Sequence, residues 1–300
     1  MTCKGTWNRG SSVVAETTVT WAARPPMPVG RKGLAIGVVE GKIYAIGGTK
    51  GSFTHLTTVD EYDPQTDRWT PKAHMPTGRE SLAVGVVGDK IYAIGGHIGG
   101  GLSIAIVEEY DPAADGWTAK APMLTYRCRL AAGVVGGKIY AIGGCDSIGR
   151  CLAAVEEYDT ARDRWSQKAP MPTARGDLAI GVVGNKVYAI GGYNGNYLAT
   201  VEEYDPAADL WTGRASMPTS RRTLAVGEVG NKVYAIGGYN GGCIATVEEY
   251  DPEADSWAPK DPMPMGREGL AVGVVGDKIY AIGGVIGFNY IAAVVSGTVL

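Results

Sequence analysis

Short apolar runs recur along this chain in a fixed order, with glycine-rich pairs between them. In residues 266–283, Leu270 to Val275 and Lys278 to Ile282 are β-favouring runs separated by Gly276-Asp277. That pair is a tight hairpin signal, and it returns as Gly88-Asp89, Gly136-Gly137, Gly184-Asn185 and Gly230-Asn231. A Y-A-I-G-G run follows; paired glycines in a strand imply close backbone approach or positive φ. After a loop of variable length, V-E-E-Y-D-P predicts a third strand ended by proline, and D-x-W begins a fourth. No segment carries an apolar period of 3.6 over ten residues, which nearly excludes helix.

The unit occurs six times. Its tryptophans, Trp21, Trp69, Trp117, Trp165, Trp211 and Trp257, are spaced by 48, 48, 48, 46 and 46 residues. A period of that length marks a repeat architecture. Four antiparallel strands per copy predict an all-β, six-bladed propeller, with Tyr92, Tyr140, Tyr188 and the tryptophans filling the space between blades. The sixth copy lacks its E-Y-D-P and its Trp, whereas Trp21 has no complete strands before it. The segment from Thr18 to Ala23 is therefore expected to be the outer strand of the blade built from 266–296, leaving no open edge. The domain spans 18–300; residues 1–17, with Trp7 unmatched in the repeat, form an extension that could add to a sheet or hang as a tail.

Composition narrows the partners. The net charge of −3 and the acidic balance argue against a nucleic-acid backbone. No apolar run approaches eighteen residues, so no membrane span is expected. Residues 1–11 do not read as a secretory signal. The five cysteines are odd in number and lie outside the repeat consensus, which suggests a reducing, cytoplasmic setting and not a disulfide framework.

This pattern resembles the kelch-repeat family. The residues that carry the resemblance are the Gly-Gly pairs (Gly47-Gly48 through Gly283-Gly284), the Tyr of E-Y-D and the spaced Trp, over about residues 18–300. The resemblance implies a six-bladed propeller with a central channel. It also implies that one rim of the channel is the first place to seek a peptide or protein ligand, as in kelch domains that act as substrate adaptors.

Constant and variable phases separate scaffold from candidate function. Arg31, Arg79, Arg127, Arg175, Arg221 and Arg267 each follow the M-P methionine by four residues. An acid is as constant in the third strand (Asp60, Glu108, Glu156, Glu202, Glu248), so buried ion pairs are expected. Val295 takes the acid's place in the last copy, which leaves Arg267 as the arginine expected to be free for a ligand. The next two phases vary: Lys32, Glu80, Cys128, Gly176, Arg222 and Glu268, then Gly33, Ser81, Arg129, Asp177, Thr223 and Gly269. So does the residue after each Gly-Gly, among them His97, Cys145, Tyr193 and Tyr239. All three phases are expected to open on one rim, where Arg and Tyr are residues of the kind enriched at binding hot spots. The ligand-binding candidates are Lys32, Glu80, Ser81, His97, Cys128, Arg129, Asp177, Tyr193, Arg222, Tyr239, Arg267 and Glu268.

Other chemistry is thin. Cys128, Cys145, Cys151 and Cys243 fall at rim phases, but their spacing fits no zinc pattern, and small residues tolerated in loops is the favoured reading. His97 with Glu80 or Cys128 could be cast as a base with its partners, yet nothing has the spacing of a catalytic triad. No catalytic residue, metal or cofactor is assigned. Glu228 stands where five copies have Val, and either lines the channel or pairs with Arg222. The leading expectation is a monomeric protein- or peptide-binding scaffold. The alternatives are a small-molecule enzyme of the kelch type, epimerase-like or lyase-like, with a charged channel mouth, and an idealised or recently duplicated repeat with no dedicated ligand.

Overall fold

A computed structural model describes residues 18–51 and 54–299. The expected extension, 1–17 with Trp7, lies outside the described residues. Six four-stranded antiparallel sheets stand in a ring. Blade 1 runs outward from the axis as Ala35–Val39, Lys42–Ile46, Val59–Asp63 and Arg68–Lys72. Blades 2 to 5 repeat this order, their innermost strands being Ala83–Val87, Ala131–Val135, Ala179–Val183 and Ala225–Val229. Blade 6 consists of Ala271–Val275, Lys278–Ile282, Val294–Val299 and, from the other end of the chain, Val19–Arg24. The closing strand pairs Val19 with Val299 and Arg24 with Val294, as the repeat pattern predicts. Innermost strands of successive blades pack on one another, blade 6 against blade 1 included, so the ring is closed. A 3-10 turn at Gly99–Gly101 is the only helical element among the described residues. No helix there is long and apolar enough to cross a membrane.

The core lies between blades. Tyr44, Ile46 and Val59 of blade 1 pack with Ile91, Ala93 and Tyr110 of blade 2, and equivalent sets fill the other interfaces. Each fully buried Ile of the second strands, such as Ile139, contributes about 1.5–3 kcal/mol. Gly85 lets the innermost strand of blade 2 approach this layer: a Cβ there would meet Ile139 Cγ2 at 2.8 Å.

Polar latches reinforce each interface. The Trp117 indole donates to the Ala73 carbonyl of the preceding blade at 2.9 Å, and Trp69, Trp165, Trp211 and Trp257 do the same one blade along. The Asp two residues before each of these tryptophans accepts the hydroxyl of a Tyr in its own blade, as Asp115 does from Tyr110 at 2.6 Å. In blades 2 to 5 that Asp also accepts a backbone N–H of the preceding blade, as Asp115 does from Ala73 at 2.8 Å.

The arginine–acid pairs form in five blades. Arg31–Asp60 (2.7 Å), Arg79–Glu108 (2.8 Å), Arg127–Glu156 (3.2 Å), Arg175–Glu202 (2.8 Å) and Arg221–Glu248 (2.6 Å) are all buried. Each guanidinium also donates to the carbonyl of the Ala in its second strand, which ties the incoming loop to the sheet. Gly143 shows how closely the loops approach: at φ +63°, a Cβ would lie 2.6 Å from the Arg175 carbonyl oxygen.

Candidate functional site at the channel mouth

Where each M-P-x-x-R loop turns down into an innermost strand, one residue adopts a left-handed conformation. These are Gly33, Ser81, Arg129, Asp177, Thr223 and Gly269, with φ from 51° to 61°. The kink turns their peptide groups around the axis, and a closed belt results. Ser81 N–H donates to Gly33 O (2.7 Å), Arg129 to Ser81 (2.8 Å), Asp177 to Arg129 (2.9 Å), Thr223 to Asp177 (2.9 Å), Gly269 to Thr223 (3.1 Å), and Gly33 back to Gly269 (2.9 Å). A β-branched residue such as Thr223 is a strained occupant of this conformation, and the belt over-determines it.

Above the belt is a cavity of about 200 Å³ lined by one charged side chain from every blade: Lys32, Glu80, Arg129, Asp177, Arg222 and Glu268. Their signs alternate around the ring. Blades 1, 2, 5 and 6 supply the charge from the residue before the belt; blades 3 and 4, where that residue is Cys128 or Gly176, supply it from the belt residue itself. Arg129 Nη1 approaches Asp177 Oδ2 at 3.9 Å, and Thr223 Oγ1 donates to Glu268 Oε2 at 3.2 Å. Burial raises the Asp177 pKa above the usual carboxylate value, against the pull of Arg129. Below the belt the channel is apolar, lined by Ile36, Val38, Ile180 and their counterparts. Glu228 enters this wall, half-buried, with Oε1 accepting the Val182 N–H at 3.0 Å. It lines the channel and does not pair with Arg222: its acceptor role falls on the neighbouring blade's backbone. Burial pushes its pKa up to about 7.

Around the mouth stand six equivalent stations. In each, the residue before or at the turn into the blade forms an antiparallel bridge with the residue after Gly-Gly, as Glu80 does with His97 and Arg222 with Tyr239. The third member comes from the returning loop of the preceding blade. Thus His55 meets His97, Ser103 Oγ donates to the Cys145 carbonyl, Cys151 Sγ to the Tyr193 carbonyl and Cys243 Sγ to the Val285 carbonyl. At the fourth-to-fifth junction Tyr193, Tyr197 and Tyr239 surround the Arg222 guanidinium, at 5.2, 5.8 and 5.2 Å from the ring centroids. Lys32 lies 5.9 Å from the Tyr290 ring.

The structure places the sequence-derived candidates as follows. Lys32, Glu80, Ser81, Arg129, Asp177, Arg222 and Glu268 line the one cavity. His97, Tyr193 and Tyr239 sit at stations beside it, and Cys128, bridged to Cys145, is the buried member of the station between blades 2 and 3. Arg267 does not belong with them. It has no carboxylate partner among the described residues, but this does not release it: it is 2% exposed and donates to the carbonyls of Ala281, Gly283 and Ala293. The cysteines divide: Cys145 and Cys151 have sulfurs 3.4 Å apart, with Cys128 bridged by backbone to Cys145, while Cys243 is two junctions away. His97 faces His55, not the thiols. The sequence places on the rim the variable loops that end at His55, Tyr197 and Tyr290, but it does not single these three out as ligand-binding candidates. Each lies four residues before the first Val of the third strand, a spacing visible only when counted backwards from that strand.

Comparison with known proteins agrees with this geometry. The family model of the KLHDC2/KLHL20/DRC7 Kelch-repeats domain matches residues 117–284, more than half of the chain, and the Kelch motif matches 30–76 and 78–124. The chain belongs to the kelch-repeat family. Among solved structures this kelch propeller is similar to one described as the structure of YjhT, with a TM-score of 0.77, 16% identity, and coverage of 92% of this chain and 96% of that one. That likeness shows the fold alone. No curated protein matches the sequence.

Proposed function

We infer that this kelch propeller binds a protein or peptide segment on the face that carries the channel mouth. The observation that carries this reading is the placement of exposed apolar side chains. Strands alternate in direction, so the loops after each Gly-Gly and the M-P-x-x-R loops emerge on the same face. Of the eight large hydrophobic residues exposed among the described residues, seven (Leu102, Ile106, Leu124, Tyr126, Ile148, Met265 and Phe288) lie in those loops; only Leu210 lies elsewhere. Exposed apolar side chains gathered on one side of a folded domain mark an interaction surface. Inside this apolar periphery the alternating charges at the mouth favour a segment carrying both signs, since a ligand of one sign would meet three like charges. A small-molecule enzyme would use the mouth cavity and leave the apolar loops without a role.

Selection from a displayed peptide library tests the reading. Selected peptides should bind the wild type and lose affinity at least about tenfold both in Arg129→Ala/Arg222→Ala and in Tyr126→Ser/Ile148→Ser. The variants should keep the wild-type melting temperature. Failure to select any binder, or peptides indifferent to both pairs of substitutions, would overturn it.

A further inference from the structure

The station between blades 1 and 2 differs in kind from the other five. Its three members are His55, Glu80 and His97, all able to donate a lone pair to a metal. His55 Nε2 lies 3.2 Å from His97 Nδ1 and 3.6 Å from Glu80 Oε1, and His97 Nδ1 lies 3.9 Å from Glu80 Oε1. Zinc held at bond lengths of about 2.0–2.1 Å by nitrogen and oxygen in a tetrahedron has ligand atoms roughly 3.3–3.4 Å apart along each edge. The three observed separations bracket that edge, so side-chain adjustments of a few tenths of an ångström place all three atoms on one ion.

The backbone holds the group in place. Glu80 and His97 exchange both hydrogen bonds of a bridge (Glu80 N to His97 O, 3.1 Å; His97 N to Glu80 O, 2.8 Å). His55 is bridged to Thr49, and the following Leu56 donates to Gly48 O at 2.8 Å. The imidazole of His55 is largely buried, at 9% side-chain exposure, whereas Glu80 and His97 are partly open, at 22% and 29%. Glu80 also lines the mouth cavity. The arrangement has the features of an open site: three protein ligands on rigid elements and one side facing solvent and the mouth.

We propose that His55, Glu80 and His97 form a binding site for one divalent transition-metal ion of the zinc class at the edge of the channel mouth. Two imidazoles and one carboxylate suit such ions and not calcium or magnesium, which take oxygen ligands in larger number. Three ligands leave a fourth position for water or for an oxygen of a molecule seated in the mouth. No other station among the described residues supplies three such ligands. The site stands apart from the peptide-binding reading and does not depend on it.

The test is titration of the chelator-stripped full chain with Zn²⁺ alone by calorimetry, paired with Co²⁺ absorption spectra. One Zn²⁺ should bind per chain. Affinity should fall at least about tenfold in His97→Ala and in His55→Ala, and be unchanged in Cys145→Ser/Cys151→Ser. The Co²⁺ complex should show visible d–d bands without the near-ultraviolet charge-transfer band of a thiolate, a readout that holds for the wild type even if a histidine variant folds poorly. A stoichiometry well below one, wild-type affinity in both histidine variants, or loss confined to the cysteine variant with a thiolate band would overturn the assignment.

Discussion

Arg267 stands buried across from Val295, at the place where five sister blades set a carboxylate against the same arginine. Its partner on the second strand, Ala281, is paired with Val295 as Ala235 is paired with Glu248 in blade 5. Desolvation lowers the Arg267 pKa to about 10, as it lowers that of Arg221, but no carboxylate among the described residues opposes the shift as Glu248 does there. Thr219, which donates to Glu248 in blade 5, is matched in blade 6 by Met265. A buried cation without its counter-ion is costly, more so than the intact pair. Val295→Glu should therefore stabilise the protein by roughly 1–2 kcal/mol, raising the melting temperature by about 2–6 °C. Glu248→Ala should cost about 3 kcal/mol by the same reasoning. Thermal melts of the two variants check both signs; a lowered melting temperature for Val295→Glu would refute the argument.

The seam of the ring uses an inverted latch. Val19 occupies the phase of the latch aspartates, and Asp261 occupies the phase of the alanines they bind, so Asp261 Oδ2 accepts the Val19 N–H at 3.2 Å while its carbonyl accepts the Trp21 indole at 3.0 Å. Asp261→Ala should cost about 1 kcal/mol. Deleting residues 1–24 removes buried Val19 as well and bares the Val294–Val299 edge, so a loss of several kcal/mol and self-association are expected. Calorimetry and light scattering read the two effects, and an unchanged melting temperature for the deletion would exclude this closure.

Glu228 makes stability depend on pH in a definite direction. Its folded pKa, about 7, lies above the ordinary 4.5, so the native state holds the proton more tightly than the unfolded chain. Its contribution is most favourable below pH 4.5 and is lost as pH rises through 7, at a cost of at most about 3 kcal/mol. Glu228→Val, which restores the residue of the other blades, should melt higher than the wild type at pH 8, with the difference shrinking towards pH 5. A variant that melts lower at pH 8 would show that the hydrogen bond to Val182 outweighs the burial of the charge.

Thiol reactivity should divide by station and not by proximity in sequence. Burial raises the pKa of Cys128, and burial together with the Cys151 sulfur raises that of Cys145. The half-buried Cys151 and Cys243 should be alkylated by iodoacetamide at pH 8 well before those two. Peptide mass spectrometry over a time course decides the order.

The wheel was legible in the sequence because its scaffold repeats. Trp69 to Trp257, the hairpin glycines and the arginine–acid phases each recur in the same order every 46 or 48 residues, and each recurrence maps to one interaction in space. The mouth was legible in outline for the same reason. What escaped had two physical causes. Loops after Gly-Gly differ in length, so His55, Tyr197 and Tyr290 share no register when counted forward, although strand pairing fixes them from behind. Arg267 was misjudged because absence of a carboxylate partner was taken as availability, whereas backbone carbonyls satisfy it; for Glu228 the channel-lining alternative is the one observed, with the Val182 N–H as its donor.

The belt of peptide groups has a consequence for recognition. Its six N–H to O=C links close nose to tail from blade to blade, so each belt donor and acceptor is already paired, unlike the free N–H groups of a helix start. The belt therefore offers no free N–H pole to an approaching molecule. Each sector takes its sign from a single substitutable residue, which lets one rigid frame be re-programmed for different ligands without disturbing the hub.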